Sequence, residues 1–283
     1  MSASNRIPVV DLRDTVSGSK DLGSCPQVKE LHSSLSTVGF VFLKNHGIDK
    51  QMVEGSFAAS REFFALSEES KAVFATNAGC GPNGYSSINA KSSPQPNDMK
   101  EFFDICNPNC QDVPDAFGTV KTSLYSGCSL LSRKILHMLG FTLQLKDPDF
   151  FAHTHTKMEE GFMDNYTFLR LLNYPPVTMV TPTETGYRCA EHVDYGTFSL
   201  LFQDKGGGLQ VRHSDGSYIN VPCSDDHILM ITGRTLGSWT NNHYRPTYHR
   251  VPIPEDKHTR QLSRQSMAFF VHPNSDVLVK PLP

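Results

Sequence analysis

Short apolar segments dominate the second half of this 283-residue chain. From about residue 162 onward, runs of aliphatic and aromatic residues are separated by Gly, Asn, Asp and Pro. This texture is typical of antiparallel strands joined by tight turns. It predicts strands at 167–174, 187–192, 197–203, 208–212, 217–221, 227–232, 246–252 and 264–272. Short strands at this density imply an antiparallel sandwich or a double-sheet barrel, and a jelly roll fits best.

The first half of the chain combines helical patterns with shorter strands. Apolar residues recur at helical intervals along predicted helices at 26–38, 49–66, 118–144 and 147–153. Aromatic and β-branched runs predict further strands at 7–12, 39–43 and 100–105. Residues 76–98 are rich in Gly, Asn, Ser and Pro, and we expect a long loop there.

These patterns together predict an α+β protein with a mainly β core, in which N-terminal helices flank a jelly roll. We expect helices and strands in an N-terminal region at 1–110, backing helices at 111–160 and the jelly-roll core at 161–283. The sequence shows no internal repeat and no linker-like stretch between these parts. We therefore expect one integrated unit.

Composition and charge exclude several classes of protein. With 38% hydrophobic and 19% charged residues, the chain has the composition of an ordered globular protein. Its formal charge of −3 gives no basic footprint for nucleic acid or a membrane surface. No apolar run approaches the ~20 residues of a membrane span. The seven cysteines are scattered and contain no C-x-x-C pair, so we expect reduced thiols in a cytoplasmic protein. We also expect a monomer.

His192 and Asp194 are two residues apart in the sequence E-H-V-D-Y-G. On an extended backbone such residues point to the same side, so an imidazole and a carboxylate would converge. His249, in Y-H-R-V, is the leading candidate for a third ligand. Two histidines and a carboxylate form the facial triad of non-haem Fe(II) oxygenases. A zinc hydrolase uses similar ligands, but its H-E-x-x-H pattern does not occur here.

Arg264 and Ser266 open the last predicted strand, R-Q-S-M-A-F-F. Strand alternation puts the guanidinium and the hydroxyl on one face, with Met267 and Phe269 on the other. A buried arginine is costly unless an anion pairs with it, and its planar fork suits a carboxylate. We therefore expect this pair to hold the distal carboxylate of a 2-oxo diacid whose other end chelates iron.

These motifs closely resemble the isopenicillin N synthase-like family of 2-oxoglutarate/Fe(II)-dependent dioxygenases. The resemblance covers nearly the whole chain and includes G-F-V-F-L-K-N-H-G-I, M-K-E-F-F-D-I, H-V-D-Y-G-T-F-S-L-L-F-Q and S-W-T-N-N-H-Y-R-P-T-Y-H-R-V. It implies a double-stranded β-helix, the fold expected of a jelly roll. It also implies that His192, Asp194 and His249 bind Fe(II), and that Arg264 and Ser266 bind 2-oxoglutarate.

The resemblance further implies how the protein acts. Tyr174 matches a tyrosine that often contacts the cosubstrate, and Asn173 beside it would line the site. Fe(II), 2-oxoglutarate and O₂ are the expected requirements, with ascorbate supporting activity. The expected reaction oxidises an unactivated C–H bond of a small, carboxylated metabolite by hydroxylation, desaturation or oxidative cyclisation, and converts 2-oxoglutarate to succinate and CO₂.

Four residues are candidates for contact with the substrate. Arg188 precedes His192 by four residues, so regular alternation would place it on the same face, where it could bind a substrate carboxylate. Tyr85 lies in the predicted long loop, and such loops often carry function. Phe102 and Phe198 are expected to contribute to an aromatic pocket.

Two other functions remain open from the sequence. An oxidase or cyclase of the same fold could use Fe(II) without 2-oxoglutarate. A jelly-roll binding protein could keep the fold without catalysis, although the intact ligand set and the Arg264–Ser266 pair count against it. Arg234 departs from the family pattern, since many relatives have an acidic residue at that position. This departure bears on which substrate is bound.

Overall fold

The strands of this protein form two β-sheets. The structure is a computed structural model, which describes residues 6–13, 25–75, 84–88, 98–179 and 186–282. The strands are β1 (Val9–Asp11), β2 (Phe40–Lys44), β3 (Gly84–Ser86), β4 (Glu101–Ile105), β5 (Phe168–Tyr174), β6 (Tyr187–His192), β7 (Phe198–Gln203), β8 (Gln210–Arg212), β9 (Tyr218–Asn220), β10 (His227–Thr232), β11 (His249–Pro252) and β12 (Arg264–Val271). The helices are α1 (Pro26–Thr37), α2 (Lys50–Phe64), α3 (Glu68–Ala72), α4 (Tyr125–Thr142), α5 (Phe150–Thr154), α6 (Arg234–Trp239) and α7 (Lys257–Arg260). A π-helical turn, Val120–Leu124, leads into α4.

The larger sheet has the strand order β1-β2-β10-β7-β12-β5-β4-β3, and the smaller sheet has the order β6-β11-β8-β9. The strands of the second half pair antiparallel throughout, and all eight predicted strands are present. The predicted jelly roll, a double-stranded β-helix, is therefore confirmed. The largest error in a strand boundary is at β11, which begins at His249 rather than at residue 246.

Strands from the first half of the chain extend the larger sheet on both sides. On one side, β2 pairs antiparallel with β10, and β1 pairs parallel with β2. On the other side, β4 pairs with β5, and β3 pairs with β4. Part of the predicted loop at 76–98 is therefore a strand; residues 76–83 and 89–97 lie outside the described ranges.

Buried side chains form two clusters, one on each face of the larger sheet. The first cluster lies between this sheet and the helices, where Phe103 is fully buried with ring centroids 5.3 Å from Phe63 and 5.1 Å from Phe117. Burying such a ring contributes roughly 1.5–3 kcal/mol. The second cluster joins the two sheets, and includes Leu172 and Val251. It forms the apolar part of the interior in which the candidate site lies.

Local sequence signals set the ends of several helices. Pro26 begins α1, where its missing N–H costs nothing. Asp49 caps α2 by accepting a hydrogen bond from the backbone N–H of Gln51. Asp256 does the same for Thr259, so part of the segment between β11 and β12 forms the short helix α7. In the described residues, no helix is long and apolar enough to cross a membrane.

Candidate functional site

His192, Asp194 and His249 come together at one end of the smaller sheet. His192 ends β6 and His249 begins β11, and the two residues are direct partners in the antiparallel pairing. Their ring centroids are 4.1 Å apart. Asp194 follows β6, with Oδ1 3.8 Å from Nε2 of His192 and 3.7 Å from Nε2 of His249. In the described chain, these are the residues whose donor atoms could jointly hold a metal ion.

Hydrogen bonds orient each of the three side chains. Nδ1 of His192 lies 2.8 Å from the carbonyl oxygen of Ala190, and Nδ1 of His249 lies 3.2 Å from that of Thr247. A carbonyl oxygen only accepts, so each Nδ1 carries a proton, and the neutral form of each imidazole offers the lone pair of Nε2. Ser199 donates a 2.5 Å hydrogen bond to Oδ2 of Asp194, which leaves Oδ1 facing the histidines.

This donor set fits a divalent metal such as Fe(II). Two imidazole nitrogens and one carboxylate oxygen form the facial triad, and leave further coordination positions open. With metal–ligand bonds of about 2.1 Å at right angles, neighbouring donors lie about 3 Å apart. The observed 3.7 and 3.8 Å separations therefore require only small movements of the side chains. The carboxylate is already placed to offset part of the charge of the ion.

Burial and neighbouring charges act differently on the two histidines. Burial, together with His192, lowers the pKa of His249 to about 4, which favours the neutral imidazole needed for coordination. Burial also lowers the pKa of His192, but Cys189 and Asp194 outweigh it and raise that pKa to about 9. A metal ion binding at His192 would therefore displace a proton.

Arg264, Ser266 and Tyr174 form a second polar group near the triad. Arg264 is 2% exposed, donates from Nη1 to Oγ of Ser266 over 3.1 Å, and donates from Nε to the carbonyl of Gly207. Its guanidinium lies 4.7 Å from the ring centroid of Tyr174. Among the described residues, no carboxylate forms an ion pair with it. A buried cation that has no carboxylate partner among the described residues fits an anionic ligand from outside.

Two cavities meet at the triad. The inner cavity lies between the sheets and is lined by Tyr174, His192, Asp194, His249, Arg264 and Ser266, together with Leu172, Leu201, Leu209, Val221, Leu229 and Val251. The outer cavity is lined mainly by aromatic and charged side chains, namely Phe102, Tyr166, Phe168, Tyr195, Tyr248, Phe270, Arg170, Arg234, Glu191 and others. Lys100, Arg170, His192, Asp194 and Phe270 line both cavities. The triad therefore lies between the inner cavity, which contains Arg264 and Ser266, and the outer cavity, which is lined mainly by aromatic rings.

Two basic residues of the shared wall were not among the predicted site residues. Arg170 pairs with Asp104 through Nε at 2.7 Å and Nη2 at 2.8 Å, and its guanidinium lies 3.8 Å from the ring centroid of Phe102. Lys100 donates to Oδ2 of Asp98 over 2.6 Å and contacts Sγ of Cys189 at 3.1 Å. Alternation along β5 could have identified Arg170, because it is four residues from Tyr174 and shares its face.

Asn173 and Tyr85 are not beside the triad. Asn173 points to the opposite face of β5 from Tyr174, where Nδ2 donates to Oε1 of Glu101 over 2.8 Å. The Tyr85 hydroxyl donates to Oε2 of the same Glu101 over 2.6 Å. Lys71 also reaches Oε2 at 2.7 Å. Both predicted residues therefore belong to a buried polar network around one carboxylate, and neither lines the inner or the outer cavity.

The two predicted aromatic contacts differ in location. Phe102 lines the outer cavity, as the sequence suggested. Phe198 is fully buried in the cluster between the larger sheet and the helices. It shares that face of β7 with Leu200, whereas Leu201 and Gln203 face the inner cavity. Strand alternation therefore turns Phe198 away from the site.

Arg188 does not share the face of His192. In the pairing of β6 with β11, His192 opposes His249 but Cys189 opposes Val251, so β6 carries one extra residue between them. Such a bulge reverses the alternation, and Cys189 lines the inner cavity instead. Arg188 is 2% exposed and donates from Nη2 to the carbonyl of Leu262 over 2.9 Å. The prediction based on even spacing is wrong.

Comparisons with known proteins agree with this geometry. Residues 7–122 match the family model described as non-haem dioxygenase in morphine synthesis N-terminal, and residues 162–273 match the 2OG-Fe(II) oxygenase superfamily model. The chain is 32% identical to a proline hydroxylase, buaE, of Petromyces alliaceus, over 90% of this chain and 84% of that protein. It is 30% identical to the 2-oxoglutarate-Fe(II) type oxidoreductase ppzD of Metarhizium rileyi, over 90% and 77%.

A solved structure shares the same architecture. A full-length protein of Neurospora crassa, crystallised in complex with alpha-KG and thymine, superposes with a TM-score of 0.82 at 25% sequence identity. The match covers 100% of this chain and 90% of that one. The similarity therefore extends over both the N-terminal strands and the jelly roll.

Proposed function

We propose that this protein, which belongs to the 2-oxoglutarate-Fe(II) oxygenase superfamily, oxidises an unactivated C–H bond of a small, carboxylated metabolite. It does so as a 2-oxoglutarate- and Fe(II)-dependent dioxygenase. The observation that carries the dependence on 2-oxoglutarate is the placement of Arg264, and the outer cavity beside the triad carries the proposal of a separate small-molecule substrate. Its buried guanidinium has no carboxylate partner among the described residues, and it lines the same cavity as the triad. That arrangement suits a diacid with one end at the metal and the other at Arg264.

We assign the metal to His192, Asp194 and His249. When bound, Fe(II) supplies the oxidising chemistry, in which 2-oxoglutarate and O₂ yield succinate, CO₂ and one oxygen atom for the substrate. The chain contributes orientation. Carbonyl acceptors fix both imidazoles with Nε2 inward, and Ser199 fixes the carboxylate of Asp194.

We assign the distal carboxylate of 2-oxoglutarate to Arg264 and Ser266, with Tyr174 at their side. Arg264 has its Nε held by the carbonyl of Gly207, which fixes the direction of the guanidinium. The apolar side chains of the inner cavity, such as Leu209 and Val251, exclude water from the space between the two ends. Charge-assisted hydrogen bonds are strong in such a setting.

We place the substrate in the outer cavity, in contact with Phe102. Phe168 and Phe270 offer further apolar wall, and Arg170 contributes N–H groups not used by Asp104. These features support a substrate with an apolar body and an acceptor group. Hydroxylation is the reaction that we propose. Desaturation and oxidative cyclisation are the alternatives, and they would require the reacting carbon to be held farther from the metal site.

The two alternatives have less support. The match of residues 162–273 to the 2OG-Fe(II) oxygenase superfamily model supports the use of 2-oxoglutarate over an oxidase that does without it. A non-catalytic binding protein has no need for three converging metal donors. We also propose that the enzyme is a cytoplasmic monomer without nucleic-acid or membrane partners, and that ascorbate sustains its turnover. The formal charge of −3 supports the absence of a nucleic-acid partner.

Turnover of a metabolite panel tests the proposed function. The protein is incubated with Fe(II), ascorbate, 2-oxoglutarate and candidate carboxylated metabolites, and products are measured by mass spectrometry alongside succinate. We expect one metabolite to gain one oxygen atom with an equal amount of succinate, and the Asp194→Ala variant to give neither. Product formed equally well without 2-oxoglutarate would overturn the proposal.

A further inference from the structure

A basic groove adjoins the outer cavity on the side away from the inner cavity. Val193, Arg234 and Tyr248 line both spaces, so the groove begins where the outer cavity ends. Its other lining residues include Arg212, Arg245 and His213, together with small polar residues. A molecule that fills the outer cavity could therefore extend into this groove without leaving the protein surface.

The charge of the groove is one-sided. Among the described residues, its lining includes three arginines and no aspartate or glutamate. Arg212 forms an ion pair with Glu191 at 3.3 Å. Arg234 and Arg245 form no ion pair with a carboxylate of the described residues. Arg234 and Arg245 thus line the groove without an ion-pair partner among the described residues, and an arginine side chain is a fork-shaped donor that suits carboxylate or phosphate oxygens.

Arg234 lies at the N-terminal end of α6, where an arginine does not stabilise the helix. Arg234 is the first residue of α6, where the helix dipole disfavours a cation. Its backbone N–H donates to the carbonyl of Asp194 over 2.9 Å, and that of Thr235 donates to the carbonyl of Tyr195 over 3.1 Å. The start of α6 is therefore tied directly to the segment that carries a metal ligand.

Two tyrosines orient the arginines at the junction of the cavity and the groove. The guanidinium of Arg234 lies 5.0 Å from the ring centroid of Tyr195, and that of Arg212 lies 4.0 Å from the ring centroid of Tyr248. Both tyrosines are exposed, at 69% and 39% respectively. Stacking of this kind restricts a long flexible side chain before a ligand arrives. Stacking on a ring face also leaves the N–H edge of the Arg234 guanidinium directed away from the ring.

We propose that this groove binds an anionic group of the substrate, a carboxylate or a phosphate, at the end remote from the oxidised carbon. The substrate is then an elongated molecule with an apolar, ring-bearing body in the outer cavity and an acidic tail between Arg234 and Arg245. The inference rests on the proposed function for the position of the oxidised carbon. The groove itself is defined independently of that function.

Anaerobic calorimetry with defined probes tests the inference, since no turnover occurs without O₂. The probes are 3-phenylpropanoate, 6-phenylhexanoate and 4-phenylbutyl phosphate, with 6-phenylhexanamide as the neutral control, and the protein is loaded with Fe(II) and 2-oxoglutarate. We expect 6-phenylhexanoate or 4-phenylbutyl phosphate to bind roughly tenfold more tightly than 6-phenylhexanamide. This difference in affinity should shrink in high salt. The carboxylate and phosphate arms show which acid the groove prefers.

Variants locate the effect. Arg234→Gln and Arg245→Gln should each weaken binding of the preferred acid about five- to tenfold, and Arg234→Lys should weaken it less. Arg133→Gln changes a half-buried arginine on α4 that does not line the groove, so it is the control and should leave binding unchanged. Equal binding of acid and amide, no binding of any probe, or groove variants within twofold of wild type would each overturn the inference.

The two failures can be told apart. Succinate release from 2-oxoglutarate by the wild-type protein, measured in air without any probe, reports on the proposed function alone. Succinate release together with unselective probe binding would remove only the groove inference. Absence of both succinate release and 2-oxoglutarate binding would remove the proposed function.

Discussion

The hydroxyl of Ser199 donates a 2.5 Å hydrogen bond to the carboxylate of Asp194, with both side chains buried. This bond fixes which carboxylate oxygen faces the two histidines. We predict that Ser199→Ala lowers metal affinity about 10- to 100-fold, because hydrogen-bonding partners of metal ligands typically contribute that much. Anaerobic Fe(II) titration measures the change.

A second buried serine provides the control for this variant. Ser132, on α4, is fully buried and its hydroxyl has no hydrogen-bond partner among the described residues. Ser132→Ala removes the same atom without touching the site, and should leave Fe(II) affinity unchanged. If Ser199→Ala binds Fe(II) as tightly as Ser132→Ala, the hydrogen bond to Asp194 does not orient the ligand.

Arg264 is predicted to control the affinity for 2-oxoglutarate. Replacing it with Gln removes a buried charge that pairs with the distal carboxylate, and losing one partner of such a pair costs roughly 2–5 kcal/mol. The KM for 2-oxoglutarate should rise by about 30-fold or more, as measured by succinate release. Arg260→Gln, an exposed arginine of α7, should not change it. A KM rise below tenfold would argue against this assignment.

Asn173 and Tyr85 are predicted to affect stability rather than catalysis. Each donates a hydrogen bond to the buried carboxylate of Glu101, which Lys71 also contacts. Asn173→Ala and Tyr85→Phe should each lower the free energy of unfolding by about 1–3 kcal/mol. Urea denaturation measures this loss, while the KM for 2-oxoglutarate should stay within twofold of wild type. A tenfold rise in KM for Asn173→Ala would instead place it in the cosubstrate site.

His155 is predicted to make the protein less stable in acid. The side chain is fully buried, with Nε2 2.8 Å from Oγ1 of Thr197, and burial lowers its pKa to about 3 from its usual value of 6.5. Between pH 3 and pH 6.5, His155 binds a proton in the unfolded chain but stays neutral in the folded protein. The contribution of His155 to stability is therefore fully present above about pH 6.5 and is lost as the pH falls towards 3. The loss from pH 6 to pH 5 should be about 1 kcal/mol.

Comparing variants at the two pH values isolates this contribution. His155→Gln should show a smaller difference in unfolding free energy between pH 6 and pH 5 than wild type does, by about 1 kcal/mol. His258→Gln, an exposed histidine on α7, should keep the wild-type difference. An undiminished pH dependence in His155→Gln would show that His155 does not stay neutral in the folded protein.

The sequence predicted those parts of the site that depend on regular strand geometry. The short spacing of His192 and Asp194 put both on one side, and the alternation of Arg264 and Ser266 holds in β12. Short apolar runs bounded by turn residues also marked every described strand of the second half. These features are local, so a single segment of sequence contains the information.

The errors arose where a contact with a distant segment decides the outcome. The bulge in β6 is visible only from the register with β11, and it exchanges the faces of Arg188 and Cys189. Asn173 is adjacent to Tyr174 but points across the sheet to Glu101, a partner 72 residues earlier. The basic groove likewise joins residues from α6 and β8 that no sequence spacing connects.

The stoichiometry of O₂ uptake and succinate release tests the central claim most directly. An oxygen electrode and succinate quantification are applied to the same reaction, with Fe(II) present and with or without 2-oxoglutarate. We predict one succinate per O₂ consumed, complete dependence on 2-oxoglutarate, and loss of both signals in the Asp194→Ala variant. Oxygen consumption coupled to substrate oxidation in the absence of 2-oxoglutarate, without succinate, would contradict the account.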